Sequence, residues 1–135
     1  MKRSVTPLRV RYPEVDRMGV VHHTHFFVWF EMGRTELLRN LGCTYGDMEN
    51  EGIFMPVVEA SCRYRSPARY DETLEVETTL GEISASRISF HYRLRRTGAD
   101  KVLAEGRTVH ATVNRSGVVV RLPLPYRNLL SQSQA

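Results

Sequence analysis

Apolar and polar positions alternate through most of this chain, and one stretch breaks the rhythm. Leu8, Val10 and Tyr12 alternate with Arg9 and Arg11, which predicts a first strand over about Val5 to Tyr12, stopped by Pro13. From Thr24 to Leu41 the period lengthens. Phe26, Phe30, Leu37 and Leu41 follow helical spacing, with Phe27 and Leu38 beside them. Val28, Trp29 and Met32 make the first half of this segment apolar nearly all round, the mark of a buried helix. Thr24 is expected to cap its start and Gly42 its end. Gly33 costs roughly 1 kcal/mol against alanine in a helix interior, so a backbone passing close by is expected there.

Period two then returns. Val58, Ala60, Cys62 and Tyr64 form one alternating set, Leu74, Val76, Thr78 and Leu80 a second, and Ile88, Phe90, Tyr92 and Leu94 a third. Val109, Ala111 and Val113 form a fourth, with His91 and His110 on the polar phase and expected to face solvent. Turn residues separate the sets, at 66–71, 97–100 and 114–117. The order predicts an α+β fold, a five- to six-stranded antiparallel sheet wrapped around one long central helix. An unpaired sheet edge invites a second copy, so a homodimer with a continuous sheet is expected, with the site between subunits.

The length of 135 residues suits one domain, read as residues 1–130 with 131–135 as a frayed tail. No window is long and apolar enough for a membrane helix, and the N-terminus lacks the apolar stretch of a signal peptide. Cys43 and Cys62 have no metal-type spacing and read as reduced thiols of a cytoplasmic protein. The net charge of +4 favours an anionic partner, but the arginines are dispersed, which argues against a nucleic-acid face.

No serine-elbow, phosphate-loop, dinucleotide-loop, C-x-x-C or H-E-x-x-H motif is present. What remains is the stretch DRMGVVHHTHF, residues 16–26. Asp16 reads either as a loop carboxylate binding turn amides or as a general base or nucleophile in a partly dry crevice. The segment Val21–Thr24 offers the unpaired amides of a helix start to a carbonyl gaining negative charge, and Gly19 lets a ligand approach closely. His22 and His25 have the spacing of a metal pair but no evident third ligand, so no metal site is expected. His23 falls at the turn into the helix and reads as a catalytic candidate or a half-buried histidine. Tyr12 could pack in the core or aim its hydroxyl at Asp16. Glu31 reads as an ion-pair partner of Arg34.

The run RYPEVDRMGVVHHTHFFVWFEMGRTELLRNLG resembles the hotdog-fold acyl-CoA thioesterases of the 4-hydroxybenzoyl-CoA thioesterase and YbgC group, and YRSPARYDETLEV resembles that family's second block. The resemblance extends to about residue 125. It implies that Asp16 is the catalytic carboxylate, that the amide at His23 polarises the thioester carbonyl, and that Tyr12 and the His23 ring belong to the site. Gly19 and Val21 would line the substrate, and Ser86, Arg87 and Arg121 would meet the phosphates of coenzyme A, unless they are solvated surface residues. The substrate would be an acyl-CoA with an aromatic or aliphatic acyl group, with Met55, Val57 and Phe26 as pocket or core residues. No separate cofactor is implied, and the assembly would be a homodimer or homotetramer. Two alternatives on the same fold are an enoyl-CoA hydratase and a non-catalytic acyl-CoA-binding protein. The hydratase pattern has histidine five residues after the aspartate, where this chain has Val21.

Overall fold

The computed structural model describes residues 2–131. Five strands form one antiparallel sheet: β1 (Arg3–Arg9), β2 (Val57–Tyr64), β3 (Thr73–Ile83), β4 (Arg87–Arg96) and β5 (Val102–Ala111), in the order β1-β3-β4-β5-β2. Helix α1 (His25–Asn40) lies along the sheet, chiefly over β1 and β3. Two short helices, α2 (Tyr45–Asn50) and α3 (Leu124–Ser131), follow α1 and the last strand. This is the α+β arrangement that the pattern predicts, and the hotdog fold that the resemblance implies, with five strands. The expected tail falls partly on Ser131, which closes α3, and otherwise on residues outside those described.

The helix is seated by its glycine. A methyl group on Gly33 would stand 2.3 Å from the Thr78 hydroxyl and 2.9 Å from Val76 of β3, so the close backbone approach expected there is real. Gly42 adopts φ +79°, and the amides of Gly42 and Cys43 close on the carbonyls of Arg39 and Leu38, ending α1 in a Schellman turn. Thr24 stands at the N-cap, but its hydroxyl pairs with the His22 ring at 2.7 Å and caps no helix amide.

Two phases differ from the alternation. β1 ends at Arg9, and Tyr12 instead opens a single 3-10 turn, Tyr12–Glu14. β5 begins seven residues earlier than its apolar set suggests, and its helix-facing side is Thr108 and His110 rather than Val109 and Ala111. The reason is chemical. Phe30 of α1 stacks on Tyr92 and fills the place where Gly106 has no side chain. Beneath it runs a chain of hydrogen bonds whose direction the Met55 carbonyl dictates, since it can only accept. His110 donates from Nδ1 to Met55 O at 3.0 Å and accepts at Nε2 from Thr108, which accepts from Tyr92 at 2.5 Å. The Tyr92 oxygen accepts from Arg34 Nη1 at 3.0 Å, while Arg34 Nε donates to Tyr45 at 2.6 Å. Thr108 and His110 thus occupy the core phase because each one is satisfied.

His110 is therefore buried, not solvent-facing, whereas His91 is exposed as expected. Burial, and after it the Arg34 charge, push the His110 pKa down to about 4, so its ring stays neutral. Arg34 is only 7% exposed and makes no ion pair with Glu31 among the described residues. Its burial opposes the charge, but the Tyr92 and Tyr45 phenols outweigh that and leave its pKa raised.

The two sheet edges differ. β1 carries Pro7, which has no N–H to offer a neighbouring strand. β2 is exposed along nearly its whole length, including Val57, Val58 and Tyr64.

Candidate active site

The loop that carries Asp16 is a small hairpin. Val15 bridges to Val21, and the Asp16 amide donates to Val20 O at 2.9 Å. Gly19 turns the chain at φ +76°. Within this turn the Asp16 Oδ1 accepts the amides of Met18 at 2.8 Å and Val20 at 3.2 Å. Oδ2 makes no hydrogen bond among the described residues. The carboxylate is exposed in the single chain, so no dry crevice surrounds it there. One oxygen thus does the turn-binding work of a loop aspartate, and the other keeps its lone pairs open to solvent.

The hairpin is anchored on three sides. Val21 N donates to Ala68 O, His22 N donates to Glu14 O, and Val20 bridges to Arg69. Glu14 is 3% exposed, and its carboxylate accepts from Arg11 N at 2.7 Å and from the Trp29 indole at 2.9 Å.

With the Val21 and His22 amides spent, the next amide is that of His23, and it donates to no acceptor among the described residues. It stands at the start of α1, where the helix dipole is positive. Beside it is a pocket of about 290 Å³ lined by Val20, Val21, His23, Phe26, Tyr64 and the 65–67 turn. Its lining is mostly apolar, with a free N–H at the rim, which suits a polarised carbonyl joined to an apolar group.

Sequence reasoning missed Tyr64. Its ring stands edge-on to His23 and Phe26, and its hydroxyl donates to the His23 carbonyl at 3.1 Å. Burial first, then Cys62, push its pKa up to about 12, so it remains a donor at ordinary pH. The alternation placed Tyr64 on the helix-facing phase of its strand, and nothing in the spacing marked it as polar contact rather than core.

Other expected residues are placed elsewhere. Tyr12 is 74% exposed and packs edge-on against Tyr70, with no hydrogen bond to Asp16 or His23 among the described residues. The His22 ring lies 4.4 Å from that of His23 and 6.3 Å from that of His25. Among the described residues, no three His, Cys, Asp or Glu side chains gather in a metal-holding group. Phe26 lines the pocket, while Met55 is buried in the core and Val57 lies exposed on β2.

Ser86, Arg87 and Arg121 form a group of their own. The Ser86 carbonyl accepts from Thr112 N, and the Leu122 amide reaches Ala85, which brings Arg121 alongside. Both arginines are exposed. Arg87 opens β4 opposite Ala111, whereas Tyr64 pairs with Ala104, itself opposite Leu94. Seven residues of strand separate the two ends, about 23 Å at 3.3 Å per residue. One chain alone does not bring the basic group to His23.

Known proteins resemble this chain along most of its length. The model of the thioesterase-like superfamily matches residues 10–127. The chain belongs to that superfamily. Thioester hydrolysis is its class of activity. The chain is similar to the TT1821 protein of Thermus thermophilus, with 41% identity, a TM-score of 0.89 and coverage of 96% of each chain. It superposes on the DHNA-CoA thioesterase of Staphylococcus aureus with a TM-score of 0.93 and 29% identity, covering 99% of this chain and 92% of that one. The acyl-CoA thioesterase YbgC of Haemophilus influenzae is 36% identical over 91 residues, 67% of each chain.

Proposed function

We propose that this protein hydrolyses acyl-CoA thioesters to a free acid and coenzyme A, and that it does so as a homodimer or a dimer of dimers. The observation that carries the reading is the unpaired His23 amide at the rim of an apolar pocket, at the positive end of a buried helix. The thioester carbonyl oxygen accepts from that amide, and the negative charge that develops on it is stabilised there. The free Oδ2 of Asp16 takes a proton from water, which attacks the carbonyl carbon. The carbon–sulfur bond breaks, and the thiolate of coenzyme A leaves and is protonated. In a variant of the step, Oδ2 attacks the carbon itself and water cleaves the resulting anhydride. The His23 ring orients the water, and Gly19 and Val21 let the acyl group close on the loop.

In this reading a second copy completes the site. Antiparallel pairing of two β2 edges about a two-fold axis sets the Val57 end of one copy beside the Tyr64 end of the other. That arrangement carries the Ser86, Arg87 and Arg121 group of one copy to the His23 pocket of the other, where it holds the phosphates of coenzyme A. It also covers the exposed Asp16 loop and lowers its contact with water. No cofactor takes part, and a cytoplasmic setting fits two free thiols, one of them buried beside Met48.

A panel of acyl-CoAs read with a thiol-reactive dye tests the reading. Release of free thiol is expected. Hydration of an enoyl-CoA without thiol release would replace it with hydratase chemistry, and tight binding without turnover would leave a binding protein.

A further inference from the structure

The His23 backbone is pinned from two sides, and only one pin comes from outside the helix. The peptide joining His22 to His23 is held at its carbonyl by His25 N, 3.1 Å away. The next peptide is held at the His23 carbonyl by Phe26 N at 3.3 Å and by the Tyr64 hydroxyl at 3.1 Å. Both amide contacts are local to the first turn, where helices fray. The Tyr64 contact spans 41 residues and ties the helix start to the last residue of the edge strand β2.

Tyr64 is also fixed at its base. It faces the helix side of the sheet with Cys62 and Ala60, opposite Ala104, and its ring packs edge-on against Phe26 at 5.0 Å. A ring held in this way sets the direction of its hydroxyl, and the hydroxyl holds the peptide on the C-terminal side of the His23 α-carbon, next to the one that carries the His23 N–H.

We propose that Tyr64 is a positioning residue for the reaction: by holding the His23 carbonyl it aims the His23 amide into the pocket, at the place where the thioester oxygen gains charge. The inference rests on the reading of that amide as the oxyanion donor. It assigns Tyr64 no contact with substrate through its hydroxyl, whose proton is spent on the backbone. A donor misdirected by a fraction of an ångström still lets substrate bind, but it stabilises the transition state less. The effect therefore falls on kcat rather than KM.

Tyr64→Phe keeps the ring and removes only the hydroxyl. With the acyl-CoA that the wild type turns over fastest, kcat is expected to fall about tenfold while KM stays within about twofold. The infrared carbonyl band of a bound non-hydrolysable ketone analogue of that acyl-CoA supplies a readout that packing alone does not move. The band is expected to be lowered in the wild type and to return part-way to its free frequency in Tyr64→Phe. Unchanged kcat and an unchanged band would overturn the assignment, as would a rise in KM alone. His23→Pro, which has no N–H, tests the donor itself against His23→Ala, which keeps it. Folded His23→Pro with wild-type kcat would overturn the oxyanion reading and this one with it. Its loss of activity beside a fully active Tyr64→Phe would overturn the role of Tyr64 alone.

Discussion

The Trp29 indole donates to the Glu14 carboxylate at 2.9 Å, inside the core, and so ties the middle of the first two helical turns to the loop that precedes Asp16. The other Glu14 oxygen accepts from Arg11 N, and the Glu14 carbonyl holds His22 N. One acidic residue thereby fixes both strands of the Asp16 hairpin. Glu14→Gln replaces an acceptor by an amide group facing a donor. It is expected to cost about 1–3 kcal/mol of stability, seen as a lower urea midpoint, and to lower kcat through a looser Asp16 loop. An unchanged midpoint would mean that the buried contact contributes nothing.

His110 gives the fold an acid limit. Its pKa is lowered to about 4 from 6.5, so the folded chain keeps it neutral while the unfolded chain protonates it. Between those values the unfolded state binds more protons, and stability falls as pH falls from about 6.5 toward 4. The loss approaches roughly 3 kcal/mol if nothing else titrates. His110→Gln is expected to be less stable at pH 7 but to flatten this slope. The comparison of urea midpoints at pH 7 and pH 4.5 for both proteins checks it, and equal slopes would contradict it.

How far the sequence could be read follows from these residues. The long helix, its seat at Gly33 and its stop at Gly42 were legible because each rests on local chemistry, namely spacing, a missing side chain and a left-handed turn. The sheet was legible where apolar residues mark the inner face. It was not legible in β5, where Thr108 and His110 face inward because they complete a chain of hydrogen bonds that reaches Arg34, far earlier in the sequence. Asp16, Gly19 and His23 stood out as a cluster, and the loop geometry bears on them directly. Tyr64 and Glu14 did not, since each acts on residues far along the chain or out of phase with any period. Tyr12 looked like a strand residue and sits on the surface, because it opens the 3-10 turn that contains Pro13.

The basic group at Arg87 and Arg121 predicts a carrier effect. If it meets the phosphates of coenzyme A, Arg87→Ala and Arg121→Ala should each raise KM for an acyl-CoA about tenfold. The same variants should leave KM for the matching acyl-pantetheine, which lacks the nucleotide, unchanged. Equal effects on both substrates would move these arginines out of the binding site and back to the solvated surface.

Asp16 carries the central claim, and its replacement tests it most directly. Asp16→Asn keeps an oxygen that can accept the Met18 and Val20 amides, so the turn survives, but it removes the base. Release of free coenzyme A from the best acyl-CoA is expected to fall at least ~10²-fold in kcat, with the fold intact by circular dichroism. Turnover within a few-fold of the wild type in a folded Asp16→Asn protein would contradict the account.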